Sequence, residues 1–147
     1  MNAAALAWPI NIGMASRMSG VTPKMIRHYE SLGLLHAVGR TDSGYRQYSE
    51  ADIHTLRFIK RCRELGFPMA DIEELVSLWR NRRRASGSVK RIAQRHAAEL
   101  AKRITAMQAM QRTLDELIYC CQGNDRPDCP ILDDLAGLHD TDAHVHA

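Results

Sequence analysis

The chain has 147 residues, 45% of them hydrophobic, with 20 Lys/Arg against 17 Asp/Glu and a formal net charge of +3. That length holds one or two small domains, and no apolar stretch in it is long enough to cross a bilayer. The charge is uneven: nine basic against four acidic residues from Ile12 to Arg63, nine against one from Arg80 to Arg103, and Arg126 alone against eight carboxylates after Thr113.

A basic front and middle with an acidic tail suits a protein that meets a polyanion with one part only. Residues 1–11 read as a loose, Ala-rich N-terminal extension. They lack the basic start and long apolar core of a secretory signal, so a cytoplasmic setting is expected. Ile12, Met14, Ala15 and Met18 have the spacing of one short helix, which Gly20 breaks. Thr22-Pro23 then supplies an N-cap and a proline at the first helical position. The second helix carries Met25, Ile26, Tyr29 and Leu32 on one side and ends at Gly33. Two short helices joined by a tight Gly-containing turn form a helix-turn-helix signature.

Residues 39–48 hold a turn-forming Asp42-Ser43-Gly44 flanked by Tyr45, Gln47 and Tyr48, the pattern of a small β-wing. Ser49 caps a helix running through Ile53, Leu56, Phe58, Ile59 and Cys62 to Gly66. Pro68 to Leu78 predicts a further short helix, which completes a winged helix-turn-helix domain over 12–80. A linker follows over 81–87. From Ser88 to Cys121 there is neither Gly nor Pro. Ala93, Ala97, Leu100, Ile104, Met107, Leu114, Ile118 and Cys121 step by fours and threes, interrupted at Gln111, as in a coiled-coil seam. No second helix of that length exists in the chain, so the expected partner is the same helix (88–120) of a second subunit. The bland alternative is an amphipathic helix packed within a monomer. A loop and short apolar turn over 121–138 and a disordered tail over 139–147 complete the expectation, which is mainly α in class.

Two constellations carry chemistry. The first is the second helix with Lys24, Arg27, His28 and Tyr29, together with the wing's Arg40, Tyr45 and Arg46. A helix of this kind enters the major groove while flanking cations and hydroxyls hold phosphates; a helical hairpin with solvated basic residues is the plain alternative. The second is Cys121 and Cys129, which bracket a seven-residue Gly/Pro loop. Zn(II) takes four ligands, whereas Cu(I), Ag(I) or Au(I) accept two soft thiolates, so a two-thiol loop leans monovalent. A disulfide across the loop competes with this reading. Cys120 points about 100° away from Cys121 on a helix. Cys62 reads as a small core residue, and His139, His144 and His146 as part of a solvated tail. No catalytic set is visible, so an enzyme is not expected.

From Ile12 to about Leu135 the sequence resembles the MerR family of transcription regulators, and within it the copper-efflux (CueR/HmrR) type. The resemblance rests on Ile12-Gly-Met-Ala, the run from Val21-Thr-Pro-Lys to Gly33-Leu-Leu, the wing from Arg40 to Tyr48, Leu56-Arg-Phe-Ile to Gly66-Phe67, and the Cys121-x7-Cys129-Pro-Ile-Leu loop. It implies an antiparallel homodimer on double-stranded promoter DNA, with Lys24, Arg27, Tyr29, Arg40, Tyr45 and Arg46 at DNA-contacting positions. It also implies that metal binding distorts the promoter so that RNA polymerase engages both elements, switching on metal-efflux genes. In the family, serine just before the dimerisation helix marks sensors of monovalent ions and cysteine marks sensors of divalent ions. Ser86 occupies that position, which favours one Cu(I), or Ag(I)/Au(I), per subunit on Cys121 and Cys129. Lys90 matches a family lysine near the metal, and both Ser86 and Lys90 are implied to come from the partner subunit. The rivals are a divalent (Zn, Cd, Hg or Pb) sensor of the same family, using Cys120 or tail histidines, and a metal-sequestering or thiol-redox protein.

Overall fold

A computed structural model of the chain describes residues 7–35, 39–83, 86–121, 123 and 129–137. The helices are α1 (Ile12–Ser19), α2 (Pro23–Ser31), α3 (Glu50–Glu64), α4 (Met69–Arg80), α5 (Ser86–Cys120) and α6 (Pro130–Leu135), with strands β1 (Gly39–Arg40) and β2 (Arg46–Gln47) between α2 and α3. Two compact units result, Met1–Ala93 and Gln94–Ala147.

The helix starts of the first unit are written in its caps. Asn11 Oδ1 accepts the Met14 amide at 2.9 Å, and Thr22 Oγ1 accepts the Met25 amide at 3.3 Å ahead of Pro23. Ser49 and Asp52 form a reciprocal capping box, each side chain taking the other's backbone amide, at 3.2 and 2.9 Å. Each arrangement satisfies amides that the first helical turn leaves without a partner. Gly20 ends α1 at φ +73°, a left-handed conformation that residues with a side chain adopt only with strain. That turn sets α2 across α1.

The core of this unit assembles on α3. Ile53, Leu56 and Ile59 are fully buried together with Ala15 of α1, Ile26 and Tyr29 of α2, and Ile72 and Val76 of α4. Ile92, from the first turns of α5, closes the same cluster. Cys62 is buried there as expected, and burial pushes its thiol pKa up. Phe58 stacks on Trp79 with ring centroids 4.5 Å apart, tying α3 to α4. Arg57 donates two hydrogen bonds, at 3.1 and 3.0 Å, to the Met18 carbonyl, so a side chain of α3 holds the last turn of α1.

Three expectations need adjustment. The long helix starts at Ser86, two residues before the expected start, and shortens the linker. The first-turn amides have no intrahelical partner in any case, so Ser86 and Gly87 cost little there. The helix after Pro68 extends to Arg80, whose guanidinium reaches the Leu34 carbonyl and, at 3.3 Å, Thr55 Oγ1. The N-terminal segment is not loose where it is described: Ile10 exchanges two backbone hydrogen bonds with Tyr48, at 2.9 and 2.8 Å, and is 7% exposed. Its apolar side chain has a core to enter, which composition alone does not show.

In the second unit Leu100, Ile104, Met107, Leu114 and Ile118 of α5 all stand exposed, as do Leu132 and Leu135 of α6. The expected tail, 139–147, lies outside the described residues.

Leu56→Ala should lower the stability of the first unit by about 2–5 kcal/mol, the usual cost of emptying a fully buried leucine site. Ser49→Ala should cost about 1 kcal/mol through loss of the cap. Urea unfolding followed by circular dichroism measures both, and equal effects would contradict the assignment of α3 as the core helix.

A candidate nucleic-acid interface and a pair of thiols

Helix α2 separates its residues by face. Ile26 and Tyr29 point into the core, while Lys24, Arg27 and His28 are exposed. Steps of three and four place these three on one side, the arrangement of a helix that offers cations to a groove. Tyr29 departs from the expectation: it is 2% exposed and packs with Ile26. In this structure its ring packs in the core behind the exposed cations.

The wing lies beside α2. β1 and β2 pair antiparallel with Gly39 opposite Gln47 and Arg40 opposite Arg46. Its tip is closed by the Thr41 amide on the Tyr45 carbonyl at 2.7 Å and the Tyr45 amide on Thr41 Oγ1 at 3.0 Å. Arg40 and Tyr45 are exposed, Tyr45 to 72%. Arg46 forms an ion pair with Glu30 of α2, and the Tyr48 hydroxyl donates to the other Glu30 oxygen at 3.5 Å, a long contact. Burial pushes the Tyr48 phenol up, while the nearby Arg46 and Arg27 charges act in the opposite sense. The phenol therefore stays protonated as the donor toward Glu30.

Glu30 was not among the residues the sequence singled out. It sits at the border between the exposed face of α2 and its buried one, but its partner lies sixteen residues away, and only the tertiary structure joins them. This contact ties the wing to α2; Lys24, Arg27, Arg40 and Tyr45 stand exposed, and Arg46 is half-exposed.

The thiols belong to the second unit. Cys121 follows α5 directly, its amide donating to the Leu117 and Ile118 carbonyls at 3.0 and 3.1 Å, and it is half-buried. Cys129 is the N-cap residue of α6, half-buried, with Pro130 at the first helical position. All four cysteines are free thiols, and Cys120 is exposed. Residues 122 and 124–128 of the expected loop, and His139, His144 and His146, lie outside the described residues. Among the described residues, no three His, Cys, Asp or Glu side chains converge. Cys121 and Cys129 are soft donors that stand at the ends of consecutive helices. In the first unit, Ser86 opens α5 and Lys90 follows one turn later, both exposed.

Family models match most of the chain: "MerR HTH family regulatory protein" over residues 10–78 and "MerR, DNA binding" over 53–117. The chain is 54% identical over 127 residues to heavy metal-dependent transcription regulator 2 of Rhizobium meliloti (strain 1021), covering 86% of both. It is also 54% identical over 127 residues to the HTH-type transcriptional regulator HmrR of Sinorhizobium medicae (strain WSM419), again covering 86% of each chain. The HTH-type transcriptional regulator CueR of Salmonella typhimurium is 36% identical over 128 residues, 87% of this chain and 93% of that one. Among solved structures, the transcription regulator PbrR691 from Ralstonia metallidurans CH34 in complex with lead(II) superposes with a TM-score of 0.75 at 28% identity, covering 86% of this chain and 98% of that one.

Arg27→Ala should weaken binding to a cognate duplex about tenfold or more and flatten its dependence on salt, with thermal stability unchanged, because it removes an exposed cation. Tyr29→Ala should instead lower the unfolding midpoint. Fluorescence anisotropy at several salt concentrations, run beside thermal melts, separates the two.

Proposed function

The chain belongs to the MerR family of metal-responsive transcription regulators, and we propose that it is the member that answers Cu(I), or Ag(I)/Au(I), through Cys121 and Cys129. It is a regulator and not an enzyme, as its relatives are. The observation that carries the ion assignment is the donor set: free, half-buried thiols at Cys121 and Cys129, with a serine at position 86. A third thiolate there would complete a site for a divalent ion; a hydroxyl leaves a two-thiolate site suited to a monovalent one. Lys90, supplied with Ser86 by the partner subunit, offsets the net negative charge that two thiolates leave around one monovalent cation.

The protein works as a homodimer in this reading. Support comes from α5, whose exposed Leu100, Ile104, Met107, Leu114 and Ile118 lie in a seam that a second, antiparallel copy of the helix would cover. Each subunit offers Lys24, Arg27, Arg40, Tyr45 and Arg46 to one half of a promoter palindrome. In the cytoplasm the dimer sits on promoter DNA. Metal binding at Cys121 and Cys129 switches the dimer, which then bends and untwists the spacer so that RNA polymerase reads both promoter elements of metal-efflux genes. Bending DNA on this scale costs several kcal/mol, on the order of 1–6 by elastic estimates, so the metal must favour the distorting conformer by a similar margin.

The divalent reading has its own support in the lead(II)-bound neighbour and in the exposed Cys120 beside Cys121. Anaerobic titration of the reduced dimer with Cu(I) and, separately, Zn(II), each against a competing chelator, decides between the two. One tight Cu(I) per subunit, lost in Cys121→Ser or Cys129→Ser while promoter binding persists, is the expected result. Tight Zn(II) or Pb(II) with weak Cu(I), lost in Cys120→Ser, would overturn the ion assignment. Ser86→Cys should move selectivity toward divalent ions, and an unchanged preference would remove the main reason for choosing Cu(I).

A further inference from the structure

The wing is small for the task assigned to it. Each strand has two residues, and a two-stranded hairpin of that size is not stable alone in water. Two supports hold it to the domain. One is the Glu30–Arg46 contact with α2. The other comes from the N-terminal side, where Ile10 pairs with Tyr48 through both backbone groups and so adds a third extended segment beside β2.

Ile10 keeps that place because its side chain is buried and because Trp8, two residues earlier, packs against the same core. Pro9, Asn11 and Ile12 form one wall of a cleft of about 540 Å³ whose other wall is the wing itself, Thr41, Tyr45, Arg46 and Gln47. The family-model match starts at residue 10, two residues after Trp8. Pro9 lines the same cleft as Tyr45 and Arg46, the two wing residues that the proposed reading places at DNA.

We propose that Trp8-Pro9-Ile10 is a positioning strap that holds the wing in its DNA-facing register, with Trp8 as its anchor. The inference rests on the reading of the wing as a DNA-binding surface. Without the Trp8 anchor, Ile10 frays from Tyr48, β2 loses its outer neighbour, and the wing samples positions in which Arg40 and Tyr45 miss their phosphates. The recognition helix is unaffected, since Ile26 and its capping contact at Thr22 do not depend on the strap.

Amide hydrogen exchange on the full-length protein without DNA tests the strap directly. In Trp8→Ala the Tyr48 amide, bonded to the Ile10 carbonyl, and the Thr41 amide at the wing tip should exchange about tenfold faster. The Ile26 amide should not change, and Trp8→Phe should restore slow exchange. Unchanged Tyr48 exchange would overturn the proposal, as would uniform acceleration at all three amides, which marks general destabilisation.

A double-mutant cycle on promoter binding gives the second arm. Arg40→Ala should cost about tenfold in the full chain but only about twofold to threefold in the Trp8→Ala background, whereas Arg27→Ala should cost the same in both. A substantial Arg40→Ala cost that is equal in both backgrounds would defeat the strap. A full-length protein that binds promoter DNA with no contribution from Arg40 or Tyr45 would defeat the DNA reading of the wing, and the exchange arm then decides the strap by itself.

Discussion

The buried stripe of α3 is the constraint on which the first unit depends. Ile53, Leu56 and Ile59 expose essentially nothing, and α1, α2, α4 and the first turns of α5 each contribute a side chain to the surface these three present. A domain of this size has one core to assemble on. Every element that offers a cation to DNA in the proposed reading is placed by packing against that core or by a contact with something that packs there. Recognition at the surface is therefore a consequence of hydrophobic burial behind it.

Packing alone does not set the register of the surface parts, and polar cross-ties supply what it lacks. Arg57 fixes the end of α1 through the Met18 carbonyl, Arg80 fixes the segment after α2 through the Leu34 carbonyl, and Glu30 fixes the wing through Arg46. Each tie links elements that are distant in sequence. Arg80 is half-buried, and burial lowers its pKa against the opposing influence of the Asp52 carboxylate nearby. Asp52 itself is 1% exposed and leaves one oxygen without a hydrogen-bond partner, so the favourable field of Arg80 offsets part of its desolvation. Arg80 is also the last residue of α4, which makes this polar cluster the place where the DNA-binding elements meet the chain leading into α5.

The second unit follows a different logic. Its helix carries apolar residues at seam spacing yet keeps them exposed in a single chain, and Cys121 and Cys129 lie at helix ends and not inside a core. Neither feature is stabilising by itself. In the proposed reading both become favourable when a second subunit and an ion are supplied, which would couple assembly and ligand to one response.

The sequence by itself determined α1 to α5 and their limits to within about two residues, because caps, glycines and prolines act locally: Thr22-Pro23, Ser49 with Asp52, Gly20 and Pro68 mark boundaries without reference to the rest of the chain. It also marked the exposed cations of α2 and the two thiols, since residue type and spacing carry that chemistry. The tertiary structure alone decided which amphipathic residues went inward. Tyr29 lies on the apolar side of α2 by spacing and among the candidate DNA contacts by resemblance, and the structure buries it with Ile26. The same holds for Ile10, which joined the wing because Tyr48 had backbone groups to pair, and for Glu30, whose partner is sixteen residues on. Local signals reach three or four residues along a helix, whereas these contacts exist only after the α3 core has brought remote segments together.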